Sequence, residues 1–179
     1  RNLGDGRPAV ARLSVLQLNP QRYEHLSLGT ETLAPYARAG SDGEPLFRLP
    51  GRQNDRVPYL GYASGAYLGR MVDLLLKQSS DALYLEPIYE TDMAEGLKAM
   101  ALEGHGLAFL PASSVRKEVS VRRLVPAGPR QAQQAFEVTI EVRLYRERPE
   151  VSRHNKPAAQ ALWDFLKLDL QRRQTTPSG

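Results

Sequence analysis

The sequence predicts an α/β protein organised as two lobes. Three observations carry this: a helix, a glycine stop and a buried strand in quick succession at Thr91–Pro111; a strand-to-helix passage and a second strand before it; and a long alternating strand after it. In Thr91–Pro111, Asp92 is placed to accept from the first free helix amides, and Glu95, three residues on, completes a capping-box pattern. Met93, Leu97, Met100 and Ala101 recur at helical spacing and predict one apolar face. Gly104 and Gly106 end the helix, and Leu107–Leu110 is a continuous apolar run halted by Pro111. In sheets of this kind, strand ends and helix N-termini form the ligand site.

The remaining elements follow in order. Residues 1–10 have the Gly, Arg and Pro content of a lead-in. Arg12–Leu18 alternates as a strand closed by Asn19 and Pro20, and Tyr23–Ala39 holds two more extended segments around Gly29 and Thr30. Gly40–Arg56 reads as a loop and as the best lobe boundary. Val57–Tyr62 is a strand running into Ala63, Ser64 and Gly65, with Ser64 as the N-cap of a helix whose stripe is Tyr67, Leu68, Met71, Val72, Leu75 and Leu76. Ala82–Glu90 is a second strand feeding the helix at Asp92. A short helix over Ser113–Val119, an extended Arg123–Val125 and a loop over 126–132 come next. Phe136–Arg146 is the longest strand. Asn155 opens a terminal helix with Pro157 in its first turn, and Ala158, Ala161, Leu162, Phe165 and Leu166 form the face expected to pack on a sheet. The division expected is residues 1–56 with 137–179 as a first, partial lobe and residues 57–136 as the second. Two lobes joined by two crossing strands place a ligand in the cleft between them.

Bulk properties bound the function. A chain of 179 residues with 41% hydrophobic residues suits one domain or two small lobes. No run approaches the roughly 18 apolar residues of a membrane span, and no charged-then-apolar leader precedes the first strand, so a cytoplasmic protein is expected. The absence of cysteine removes disulfides and thiolate chemistry. A net charge of +4 is spread among acids, as in Arg143–Arg148, which describes a solvated surface better than a nucleic-acid footprint.

Three segments together resemble a known family. Met93–Pro111 is similar to the helix, glycine and strand hallmark of the effector-binding domain of LysR-type transcriptional regulators, with Gly104, Gly106, Leu110 and Pro111 matching its pattern. Tyr59–Arg70 resembles the strand-to-helix entry of the same lobe, and Arg22–Tyr36 the stretch that crosses the first. The likeness covers residues 12 to 169. It implies a type 2 periplasmic-binding-protein-like fold with an incomplete first lobe, small-molecule binding between lobes, and a homodimer or tetramer. It also implies that DNA contact belongs to a winged helix-turn-helix and linker helix that this sequence does not contain. Within the family, Tyr67–Arg70 and Met93–Pro111 look nearest to the hypochlorite-responsive subgroup. Met93 sits at a matching position, whereas Leu68 stands where a methionine is expected. Met71, Met93 and Met100 read better as core packing than as oxidant sensors.

The candidate ligand residues are Ala63, Ser64, Gly65, Tyr67, Thr91, Asp92 and Phe109. Helix N-termini at Ser64 and at Thr91 and Asp92 offer free amides and hydroxyls to a carboxylate or similar anion, against the plainer alternative of N-capping. The Asp92 carboxylate competes for those amides. Tyr67 and Phe109 either wall the pocket or fill the core. No cofactor is expected. Catalysis is disfavoured: Gly61–Gly65 lacks the Gly-x-Ser-x-Gly spacing of a nucleophile elbow, and His25, His105 and His154 have neither a nucleophile partner nor metal-ligand spacing. A transporter's solute-binding protein, sharing the two-lobed architecture, is the alternative function.

Overall fold

The computed structural model describes residues 18–79, 82–130, 136–153 and 156–175, with residues 174 and 175 described by their backbone alone. Its elements run β1 (Tyr23–Arg38), β2 (Val57–Tyr62), α1 (Tyr67–Gln78), β3 (Leu85–Thr91), α2 (Ala94–Leu102), β4 (Leu107–Pro111), a 3-10 turn (Ala112–Val115), α3 (Arg116–Ser120), β5 (Leu124–Pro126), β6 (Val138–Glu147) and α4 (Pro157–Thr175). Chain packing separates two compact units. Glu31–Ile140 belongs to one; the residues up to Thr30 and those from Glu141 make the described part of the other. β1 and β6 pair with each other and each runs through both units.

In the unit of Glu31–Ile140 the strand order is β3-β2-β4-β1-β5. β2 is parallel to β3 and to β4, whereas β1 runs antiparallel to β4 with Leu33 opposite Pro111 and Tyr36 opposite Ala108. The core is dense where the sequence is continuously apolar: Leu107, Ala108, Phe109 and Leu110 are completely buried, together with Leu33, Leu60 and Leu97. Each such Leu or Phe contributes about 1.5–3 kcal/mol by leaving water. Close approach requires Gly106, where a Cβ would lie 2.6 Å from the Pro58 carbonyl oxygen. α1 buries Met71 and Val72, as its stripe predicts, but its first residue, Tyr67, is exposed.

Several expectations need correction. Tyr23–Ala39 is not two segments but one strand, β1, because Gly29 at φ +142° continues the extended chain where a turn was expected. Ser64 is not the N-cap of α1. The Ala66 amide donates to the Ala63 carbonyl at 3.1 Å, closing a turn with Gly65 at φ +89°, so the helix starts later and Ala66 takes the cap position. Asp92 and Glu95 do not form a capping box. Thr91 Oγ1 accepts from the Met93 amide at 3.3 Å, Met93 takes the extended cap position, and Glu95 pairs with Lys98 at 2.8 Å. Met93 is therefore not a core residue; it is 62% exposed, while Met71 is buried. Residues 12–17, expected in a strand, and Asn155, expected at a helix start, lie outside the described residues.

α3 ends in a Schellman motif. The Arg122 amide donates to the Val119 carbonyl at 3.0 Å and the Arg123 amide to the Glu118 carbonyl at 2.8 Å. Arg122, at φ +54°, occupies the left-handed position usually given to glycine.

In the other unit, Arg22, just before β1, pairs with Glu147 at 2.6 Å, and Arg146 pairs with Glu24 at 2.6 Å, so that two ion pairs tie the start of β1 to β6. The Arg146 guanidinium also lies 4.2 Å from the centre of the Trp163 ring. α4 buries Trp163, not the face predicted for it: Ala158, Ala161, Leu162 and Phe165 are exposed. The guanidinium stacks on Trp163, the buried aromatic of the helix, while Leu162 and Phe165 face outward.

Candidate functional site

The parallel arrangement of β3, β2 and β4 brings their C-terminal ends to one edge of the sheet. β2 and β3 pair to their last residues, with a register shift between Tyr59 and Leu60 and then Tyr62 opposite Thr91, and just beyond them the Ala63 amide donates to the Thr91 carbonyl at 2.9 Å. This bond joins the two loops in which Ala63, Ser64, Gly65, Thr91 and Asp92 were singled out. Glycines fit both helices to the edge: a Cβ on Gly69 would sit 2.9 Å from Tyr62 Cβ, and one on Gly96 would sit 3.3 Å from Thr91 Cγ2.

Neither helix has a side-chain cap. The first-turn amides of α1 and α2 thus reach the edge without the carboxylate or hydroxyl partner that usually takes them. Asp92 is exposed and, among the described residues, has no hydrogen-bond or ion-pair partner, so its carboxylate does not occupy those amides. The Ser64 hydroxyl is exposed and, among the described residues, equally unpartnered. An edge of this kind offers amide donors and two hydroxyls to an anionic oxygen.

The remaining predicted residues separate. Tyr67 opens α1 beside the turn and is exposed. Phe109 is fully buried in β4, edge-on to the Tyr59 ring at 6.4 Å between centroids, and fills the core. It reaches the edge only through its backbone: the Tyr62 hydroxyl donates to the Phe109 carbonyl at 2.9 Å. Burial pushes the Tyr62 hydroxyl above its ordinary pKa of 10.0, so it remains a donor.

One feature of the edge escaped the sequence. Glu31 accepts from the Ser113 amide at 3.3 Å and makes a short bond with the Ser113 hydroxyl. It thereby ties the antiparallel strand β1 to the turn after β4. The two residues are 82 positions apart, and no local pattern connects them.

Residues 9–171 match the family model described as the LysR substrate binding domain. The chain is 28% identical over 145 residues to the HTH-type transcriptional regulator YjiE of Escherichia coli (strain K12), covering 81% of this chain and 44% of that protein. It is also 28% identical over 145 residues to the HTH domain-truncated transcriptional regulator QseD of Escherichia coli O157:H7, with 81% and 55% covered. The chain spans about half the length of these curated relatives. Among solved structures, the apo regulatory domain of HypT from Salmonella typhimurium is similar with a TM-score of 0.70 at 25% identity, over 85% of this chain and 66% of that one. Both sequence relatives regulate transcription, which favours the regulator over the transporter alternative. The sheet and its helices are those of a type 2 periplasmic-binding-protein-like fold. With most of its length matched, the chain belongs to the LysR substrate-binding domain family.

Proposed function

We propose that this chain is an effector-sensing module of a LysR-type regulator and takes a small carboxylate-bearing molecule at the strand-end edge of residues 57–136. The observation that carries this is the Ala63–Thr91 bond, which holds two uncapped helix N-termini side by side. The first-turn amides of α1 and α2, with the Ser64 and Thr91 hydroxyls, bind the carboxylate; Tyr67 lies at the margin. The module performs no catalysis and works in the cytoplasm. No helix among the described residues is long and apolar enough to cross a membrane. The exposed stripe of α4 fits self-association, and DNA contact belongs to a separate helix-turn-helix segment. Ligand would shift the balance between two arrangements of the regulator, by as much as its affinity differs between them.

The test is a thermal-shift screen of small mono- and dicarboxylates on the chain and on its Ser64→Ala, Thr91→Val double variant. Ligand stabilises in proportion to the logarithm of its concentration over Kd, so a carboxylate that raises Tm should raise it less in the variant. Equal stabilisation of both proteins would move the ligand away from this edge. No stabilisation by any carboxylate would remove the anion assignment.

A further inference from the structure

At the opposite edge of the same sheet, a cavity of about 320 Å³ is lined by Arg38, Arg122, Arg123 and Glu103, among others. Arg38 ends β1 opposite Leu124, away from the Pro111 end of β4, so the cavity is separate from the site of Ser64 and Thr91. It does not depend on the function proposed above.

Three exposed arginines line this space, and among the described residues none is in an ion pair. Their hydrogen bonds are few and long: Arg38 to the Glu103 carbonyl at 3.4 Å and Arg122 to the Gly43 carbonyl at 3.5 Å. Each guanidinium carries five N–H donors, so most of the donor capacity is unspent. Elsewhere in the chain arginines do find carboxylates, as Arg48 and Arg130 both do on Glu44.

The backbone is shaped to seat these side chains. Gly43, at φ +78°, lies under Arg122, where a Cβ would meet Nη2 at 3.1 Å. Gly104, at φ +83°, lies under Arg38, where a Cβ would meet Cδ at 3.4 Å. Arg122 itself stands at the left-handed end of α3, a position that favours glycine, so the arginine is held there against backbone preference.

We propose that this cavity binds the phosphoryl group of a small anion, either free phosphate or a phosphomonoester. Three arginines against Glu103, with Asp42 beside the lining Gly40, leave the cavity net positive, the complement of an anionic phosphoryl group. The planar fork of arginine matches paired phosphate oxygens. The volume exceeds that of phosphate alone and has room for a small organic group.

Binding is measured by calorimetry and thermal shift on the chain, with inorganic phosphate and glycerol phosphate titrated at constant ionic strength against chloride. Arg122→Gly suits the local φ and should fold; Arg123→Gln leaves the backbone unaltered and carries the test should the first variant not fold. Each should weaken phosphate binding about tenfold, as loss of a charge-assisted bond implies. Glu103→Gln should tighten it, and Arg56→Gln, an exposed arginine outside the cavity, should not change it. Tighter binding of glycerol phosphate identifies the phosphomonoester, and equal binding identifies phosphate as the recognised group. The proposal is overturned if phosphate stabilises no better than chloride, or if both arginine variants bind like the parent.

Discussion

The Tyr62 hydroxyl lies 2.9 Å from the Phe109 carbonyl oxygen, and a side chain thereby continues what the backbone ladder begins. The registered pairs of β2 and β4 are Tyr59 with Leu107 and Leu60 with Ala108, and the hydroxyl bond falls just past them. Because Phe109 is fully buried, the bond satisfies an acceptor that water does not reach. Tyr62→Phe keeps the ring and deletes the donor, so it should cost about 1–3 kcal/mol, read from denaturant unfolding. A loss below the error of the measurement would mean that the carbonyl finds another donor.

The same residue sets an alkaline limit. Burial raises the pKa of Tyr62 above 10.0, and burial first, then Asp73 and Glu90, does so for Tyr59. A phenol that holds its proton more tightly when folded stabilises the fold in full below the unfolded value. That stability is lost as pH rises from there towards the folded pKa. Unfolding free energy should therefore fall with pH above about 10, and Tyr62→Phe should flatten the slope. An unchanged slope would assign the alkaline loss to other groups.

Gly106 marks where β4 begins against β2. A Cβ there would be 2.6 Å from the Pro58 oxygen and 3.1 Å from its carbonyl carbon, both backbone atoms that have no rotamer to escape into. Gly106→Ala should cost about 1–3 kcal/mol by overpacking. Gly65→Ala, at a position with open space but φ +89°, should cost less, through strain alone. Equal melting points for the two variants would contradict this ordering.

Met93 stands in the N-cap of α2 with its side chain in water, while Met71 is enclosed in the core. Limited hypochlorite treatment of the folded chain should convert Met93 to the sulfoxide first, Met100 more slowly and Met71 last, as followed by peptide mass spectrometry. Denaturation should equalise the three rates. Oxidation of Met71 as fast as Met93 in the native protein would contradict the placement.

α4 leaves Leu162, Phe165 and Leu168 more than half exposed, one turn apart on the helix. If this stripe meets a second copy of the chain, Phe165→Glu should abolish concentration-dependent association in sedimentation or size exclusion. An exposed side chain contributes little to the monomer, so Tm of the dilute protein should stay within about 0.5 kcal/mol equivalent of the parent. Identical sedimentation of parent and variant would place any self-association elsewhere.

Much of the fold was legible because its cause is local. The apolar run Leu107–Leu110, the glycines before it and Pro111 after it define a buried strand through residues a few positions apart, and all four apolar residues are buried. The order from β2 to β5 follows from similar punctuation at Gly65, Gly104 and Pro126. The edge at Ala63–Gly65 and Thr91–Asp92 was legible too, since parallel strands that each feed a helix must end on the same side. What local pattern misassigned were the caps. Asp92 with Glu95 has the composition of a capping box, but the Thr91 hydroxyl takes the Met93 amide first, and the Ala63–Ala66 turn delays α1 past Ser64. α4 shows the same limit: periodicity finds an apolar face, yet the buried residue is Trp163, which meets Arg146 from the distant strand β6.

By itself the sequence determined which segments become helix or strand and where glycine and proline interrupt them, because those depend on backbone sterics and on polarity within one or two turns. Tertiary structure alone decided the pairing of Glu31 with Ser113 and the meeting of Arg38, Arg122 and Arg123 around one cavity. Those contacts join residues far apart in sequence, 82 positions for Glu31 and Ser113, and no local energy term records them; they exist because the sheet order brings β1 against β4 on one side and β5 on the other.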